Sequence, residues 1–146
     1  MSRSEEAIIR EKLLLLDQYL RELGTVKDIS FAAYQKSPMT RRGVERLLQL
    51  LVEVASDVNG LLLSRRGAVP PDSYYRSFIA AGEGGVIPKP LARALAPSAG
   101  LRNRIVHEYG EYKDSLVHPN IARMYRLYGQ YLKLVERAIR PPEKKK

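Results

Sequence analysis

Apolar residues return at helical spacing over two long stretches, and nowhere does the chain show the alternation of a strand; that pairing most restricts what it can fold into. In the first stretch, from about Ser4 to Leu23, Ile9, Leu13, Leu16, Leu20 and Leu23 fall on one helical face. Glu5 and Glu6 suit its first turn and Gly24 its end. In the second, Ser37 offers an N-cap, Pro38 fits the first turn, and Val44, Leu47, Leu51, Ala55, Val58 and Leu62 form the stripe. This helix should stop near Arg65–Gly67, because Pro70 and Pro71 cannot continue it.

The remaining segments are shorter. Residues 24–36 lack clear periodicity. Asp72 or Ser73 can cap a third helix carrying Tyr75, Phe78 and Ile79, which Gly82, Gly84 and Gly85 should break. Pro88 to Ala96 reads as helix, Pro97 marks a kink or a new start, and Pro97 to about Tyr109 reads as helix again. After a loop over Gly110–Val117, Pro119 can open a last helix with an inner face of Ile121, Met124, Tyr128, Tyr131 or Leu132, Val135 and Ile139, ended by Pro141-Pro142. Long amphipathic helices with short connections predict an all-α, up-and-down bundle. Residues 1–140 would form one domain, with a basic tail over 141–146, and the nearly heptad-spaced leucines suit a helix-mediated homodimer.

Composition removes several function classes. The 146 residues include no cysteine, which excludes disulfides, thiolate metal sites and cysteine nucleophiles and agrees with a cytoplasmic setting. The apolar run Leu13–Leu16 is too short for a signal-peptide core, and no membrane span is expected. The net charge is +9, of which residues 119–146 carry +6, from eight basic residues against Glu136 and Glu143. Such a basic end is either a solvated face or a nucleic-acid contact.

One segment concentrates chemistry: Leu101-Arg102-Asn103-Arg104-Ile105-Val106-His107-Glu108-Tyr109. Cleaving an RNA phosphodiester without a metal needs a base for the 2′-hydroxyl, a proton donor for the leaving oxygen, and a fixed positive charge for the transition state. Histidine and arginine supply those parts. On an ideal helix Asn103 and His107 share a face, whereas Arg102 and Tyr109 share another, about 140° from the histidine. One copy therefore makes a poor complete site. Either the helix is distorted near Gly110 or two copies meet so that an arginine and both histidines converge, and the second arrangement is expected. Alone, Arg-x4-His is weak, since it arises by chance and a lone helical histidine is usually packed or solvated.

The string RNRIVHEY, with Arg102, His107 and Tyr109, resembles the Arg-x4-His-x-Tyr signature of HepT toxins within the HEPN superfamily. The resemblance extends through the Leu13–Leu20 helix, Glu45-Arg46-Leu47-Leu48-Gln49, Pro70-Pro71-Asp72-Ser73-Tyr74 and Gly100-Leu101-Arg102-Asn103, covering roughly residues 5–139. It implies a four- to five-helix bundle, a homodimer, and a cofactor-free and metal-free endoribonuclease site built from Arg102, Asn103 and His107 of both chains. His107 would be the general base, Arg102 would stabilise the phosphorane, and Asn103 would hold the phosphate or the imidazole. The implied partners are an RNA substrate and a minimal nucleotidyltransferase antitoxin that attaches AMP to Tyr109. The alternative is a non-catalytic HEPN module that only binds the nucleotidyltransferase.

Other candidates read more simply. His118, before Pro119, suits a capping or solvent role, and the dispersed Asp17, Asp57, Asp72 and Asp114 give a metal little support. Gly82-Glu83-Gly84-Gly85 lacks the lysine and the preceding strand of a phosphate loop. Tyr125, Tyr128 and Tyr131 suit a core or interface, and Arg104 and Glu108 a surface ion pair.

Overall fold

The computed structural model describes residues 3–107 and 112–139, all helices and short connections. The helices are α1 (Arg3–Gly24), α2 (Phe31–Lys36), α3 (Pro38–Arg65), α4 (Tyr74–Glu83), α5 (Lys89–Leu95), α6 (Pro97–His107), α7 (Tyr112–Val117) and α8 (Asn120–Ile139). Five have ten residues or more and make the bundle; α2, α5 and α7 are short additions.

The centre of the bundle is α3, which packs against α1, α2, α4, α6 and α8. Its start follows the expected chemistry, with Ser37 Oγ accepting from the Thr40 amide at 3.2 Å and proline in the first turn. Because neighbours surround it, α3 buries more than one stripe. Leu48, Val52, Val54 and Leu63 are buried beside Val44, Leu51, Ala55, Val58 and Leu62, while Leu47 is only partly covered. By length and composition α3 alone among the described helices could cross a membrane, but here it is the core helix. The α1 stripe is buried at all five expected positions, and the inner face of α8 is buried except at partly covered Ile139.

Two stretches hold helices that the sequence pattern does not announce, one without clear periodicity and one expected as a loop. Residues 31–36 form α2, whose N-cap is Ser30, and Tyr112–Val117 form α7. Neither helix is long enough to show an apolar period. His118, in the turn between α7 and α8, is not a cap or a solvent-facing side chain. Its Nε2–H donates to the Ile29 carbonyl at 2.7 Å, and its ring packs on Phe31 and Tyr34, so it pins α2 to the far end of the chain.

The glycines after α4 also act differently from a simple break. Gly82 lies inside the helix, where an added Cβ would stand 2.6 Å from Ala92 Cβ, so its missing side chain lets α5 cross closely. The reversal comes at Gly85, with φ +73°, while Val86 N–H donates back to the Ala81 carbonyl. Pro97 acts as a restart: α5 ends at Leu95 and α6 begins at the proline.

A polar strand of contacts crosses this core. Tyr131 donates to Asn59 Oδ1 at 2.6 Å and the Ala55 carbonyl at 3.1 Å, while Tyr128 and Ser98 hydroxyls share a 2.6 Å bond. Burial pushes both phenols well above their ordinary pKa, so they stay neutral. Through these bonds α8 fixes α3 and α6.

Candidate functional site

The inner face of α6 is Ser98, Ala99, Leu101 and Ile105, all buried. Helical geometry then sends the intervening residues outward. Arg102 is partly buried at the α3 boundary, whereas Asn103 and His107 are exposed.

Arg102 is held on several sides. Its Nε and Nη2 donate to Glu53 Oε2 on α3 at 3.1 and 2.9 Å, and Gln49 Nε2 donates to the same oxygen at 2.9 Å. The guanidinium lies over the Tyr74 ring, 4.8 Å from its centroid. Tyr74 opens α4, placed there by the Ser73 cap and by Ser77 Oγ–H, which donates to the Tyr74 carbonyl at 2.8 Å. The remaining edge, Nη1, donates to Asn103 Oδ1 at 3.2 Å. Asn103 is thereby oriented with its amide oxygen toward the arginine, which frees its NH2 for another acceptor.

This anchor is one rung of a ladder on α3. Arg41, Glu45, Gln49 and Glu53 follow each other at intervals of one helical turn. Arg41 pairs with Asp114 at 3.6 Å, Glu45 with Lys113 at 2.6 Å, and Glu53 with Arg102. The ladder thus grips the chain both before and after residues 108–111, tying α6 and α7 to one rigid helix.

Arg102 and Asn103 are therefore joined by a hydrogen bond, whereas His107, exposed one helical turn after Asn103, lies about 140° around α6 from Arg102. Tyr109 lies outside the described residues, as does Glu108, the expected partner of Arg104. No group of three or more histidines and carboxylates able to hold a metal occurs among the described residues. The arrangement offers a cation fixed by two N–H bonds, an amide beside it, and an exposed imidazole one turn further along α6.

Sequence reasoning missed Glu53, Gln49 and Tyr74. The four-residue recurrence of polar side chains on an otherwise apolar helix was the available signal for the first two. Tyr74 carried no such sign, since its place under Arg102 depends on how α4 meets α6.

Comparison with known proteins places this architecture among relatives. The family described as Ribonuclease HepT-like matches residues 11–135. The tRNA nuclease HepT of Aphanizomenon flos-aquae is 33% identical over 135 residues, covering 92% of both chains. Among solved structures, the tri-AMPylated Shewanella oneidensis HEPN toxin in complex with MNT antitoxin is similar with a TM-score of 0.79 and 20% identity, covering 94% of this chain and 99% of that one. A toxin–antitoxin complex with AMP-PNP gives 0.77 and 19% identity, covering 93% and 98%.

Proposed function

This chain belongs to the HepT-like ribonuclease family, and from that membership we propose that it is the toxin of a toxin–antitoxin pair, an endoribonuclease that cuts RNA without a metal. The observation that carries the reading is the fixed Arg102: two of its donors are spent on Glu53, its face rests on Tyr74, and Nη1 is left beside Asn103. A guanidinium held this way is preorganised for charge that develops in a transition state.

Because His107 departs on another side of α6, the site is completed by a second copy of the chain. One His107 takes the proton of the ribose 2′-hydroxyl, and the 2′-oxygen attacks phosphorus. The bond from phosphorus to the 5′-oxygen breaks, and the leaving oxygen takes a proton from the other copy's His107. The products are a 2′,3′-cyclic phosphate and a 5′-hydroxyl. Arg102 and Asn103 hold the non-bridging oxygens meanwhile, through N–H donors that suit an anion.

Restraint would come from a nucleotidyltransferase antitoxin that transfers AMP to Tyr109. The Shewanella toxin carrying three AMP groups in complex with its antitoxin supports this by analogy. An adenylyl group two residues from His107 brings a phosphate charge and bulk to where the RNA phosphate binds.

Protein made without a partner, incubated with RNA in EDTA beside His107→Ala, tests the reading. Cleavage by the wild type alone, leaving 2′,3′-cyclic phosphate ends, is expected. Intact RNA in both, with mass spectrometry showing unmodified Tyr109, would instead favour a non-catalytic module that only binds the nucleotidyltransferase.

A further inference from the structure

A cleft of about 460 Å³ opens beside Asn103, between the start of α4 and the middle of α6. Its lining includes Ser56, Asp72, Tyr74, Tyr75, Gly100 and Asn103. We propose that this cleft holds the base of a nucleotide next to the scissile phosphate, so that Tyr74 separates a phosphate position at Arg102 from a base position in the cleft. The inference rests on the ribonuclease reading above and extends it to how the enzyme selects where to cut.

The chemistry of the lining distinguishes base from phosphate. Among the described residues Asp72 is the only charged one lining the cleft, so an anion is repelled there while it is attracted to Arg102. Flat apolar surface is supplied by Pro71 and by Tyr75, which is 52% exposed and so presents an uncovered ring. Aromatic rings of this kind stack on any base. A carboxylate at the rim accepts from exocyclic amino groups, which favours bases that carry one over uracil. Asn103 borders both the cleft and the arginine, which makes the two positions continuous.

Gly100 gives the cleft its depth and also a clean way to test it. A Cβ added there meets no atom within 4 Å, so a larger side chain enters open space rather than the core. Replacing a mid-helix glycine also raises helix propensity. Gly100→Leu should therefore fold at least as well as the wild type while filling the cleft.

The experiment uses two oligoribonucleotides that differ only in having a base or an abasic ribose beside the cut site, and 2′-O-methyl versions that bind without being cut. The wild type should prefer the base-bearing member of each pair by about tenfold. In Gly100→Leu and Tyr75→Ala that preference should fall to about twofold or less, with the dimer intact by sedimentation. Equal affinity of the wild type for both 2′-O-methyl oligonucleotides would overturn the base site, whatever the outcome with cleavable RNA. If Gly100→Leu instead dissociates the dimer, the cleft is an interface between copies and the proposal fails. A wild type that binds with base preference but never cleaves would sink the ribonuclease reading and leave the base site standing.

Discussion

The two faces of α3 do opposite work with the same helical period. On its core side it presents Leu51, Ala55, Val58 and Leu62, all buried and non-directional in their contacts. Toward α6 and α7 it presents Arg41, Glu45, Gln49 and Glu53, whose contacts are directional and name their partners: Asp114, Lys113 and Arg102. The first face determines that the chain folds; the second determines where the chemistry-bearing segment lies on the folded body. Burial energy is tolerant of shape, whereas an ion pair fixes one side chain against another. Cutting into one face should therefore leave the other's property largely intact.

The largest effect should follow from damage to the apolar face. Leu51→Ala removes a fully buried side chain and should cost about 2–5 kcal/mol in urea denaturation, with the cleavage rate per folded molecule little changed. A marked loss of rate in the folded fraction would show that the two faces are not separable.

On the polar face, Arg102→Ala should reverse that pattern. Rate should drop by about 10²–10³, the range for losing one preorganised donor to transition-state charge, while stability changes by about 1 kcal/mol because the pair is partly exposed. Comparable losses of both would mark Arg102 as merely structural. Glu53→Gln is the finer cut, since it keeps the size and leaves Arg102 in place without a charged anchor. The expected outcome is roughly a tenfold fall in kcat with KM nearly unchanged and stability within about 1 kcal/mol. An unaltered kcat would mean that Glu53 does not position the guanidinium.

The smallest effect concerns pH, and it sharpens the contrast on the core side. Tyr128 and Tyr131 have pKa values raised by burial above the ordinary 10.0 of the unfolded phenol. A raised pKa adds stability that is fully present below about pH 10 and is lost as pH climbs toward the folded values. Alkaline titration should thus show these phenols ionising only together with loss of helical circular dichroism. Early, reversible ionisation of all nine tyrosines would contradict their place in the core.

How much of this could be read from the residues follows the same division. The α1 stripe, the Ser37-Pro38 start, the Ser73 cap and the inner face of α8 rest on local period and capping, and all stand in the fold. The helices over 31–36 and 112–117 escaped because six residues are too few for a period to show. His118 was misjudged because its partner, Ile29, is distant in sequence. Arg102, Asn103 and His107 are candidates to which residue chemistry and the resemblance point, and the angular offset between arginine and histidine follows from helical spacing alone. Glu53 and Tyr74 were not legible, since a cation's counter-charge and its aromatic support depend on which helices meet.

That angular offset leads to the central claim, a site shared between two copies, and pairing an altered chain with an intact one tests it most directly. Mixed dimers of wild type and His107→Ala, formed by unfolding and refolding the two together, keep only one of the two histidines that the site needs and should be inactive. Mixed dimers of wild type and Arg102→Ala keep both histidines and one arginine and should retain activity. Mixed dimers with His107→Ala, confirmed by mass, that keep about half of the wild-type activity would contradict the account and place a complete site within each chain.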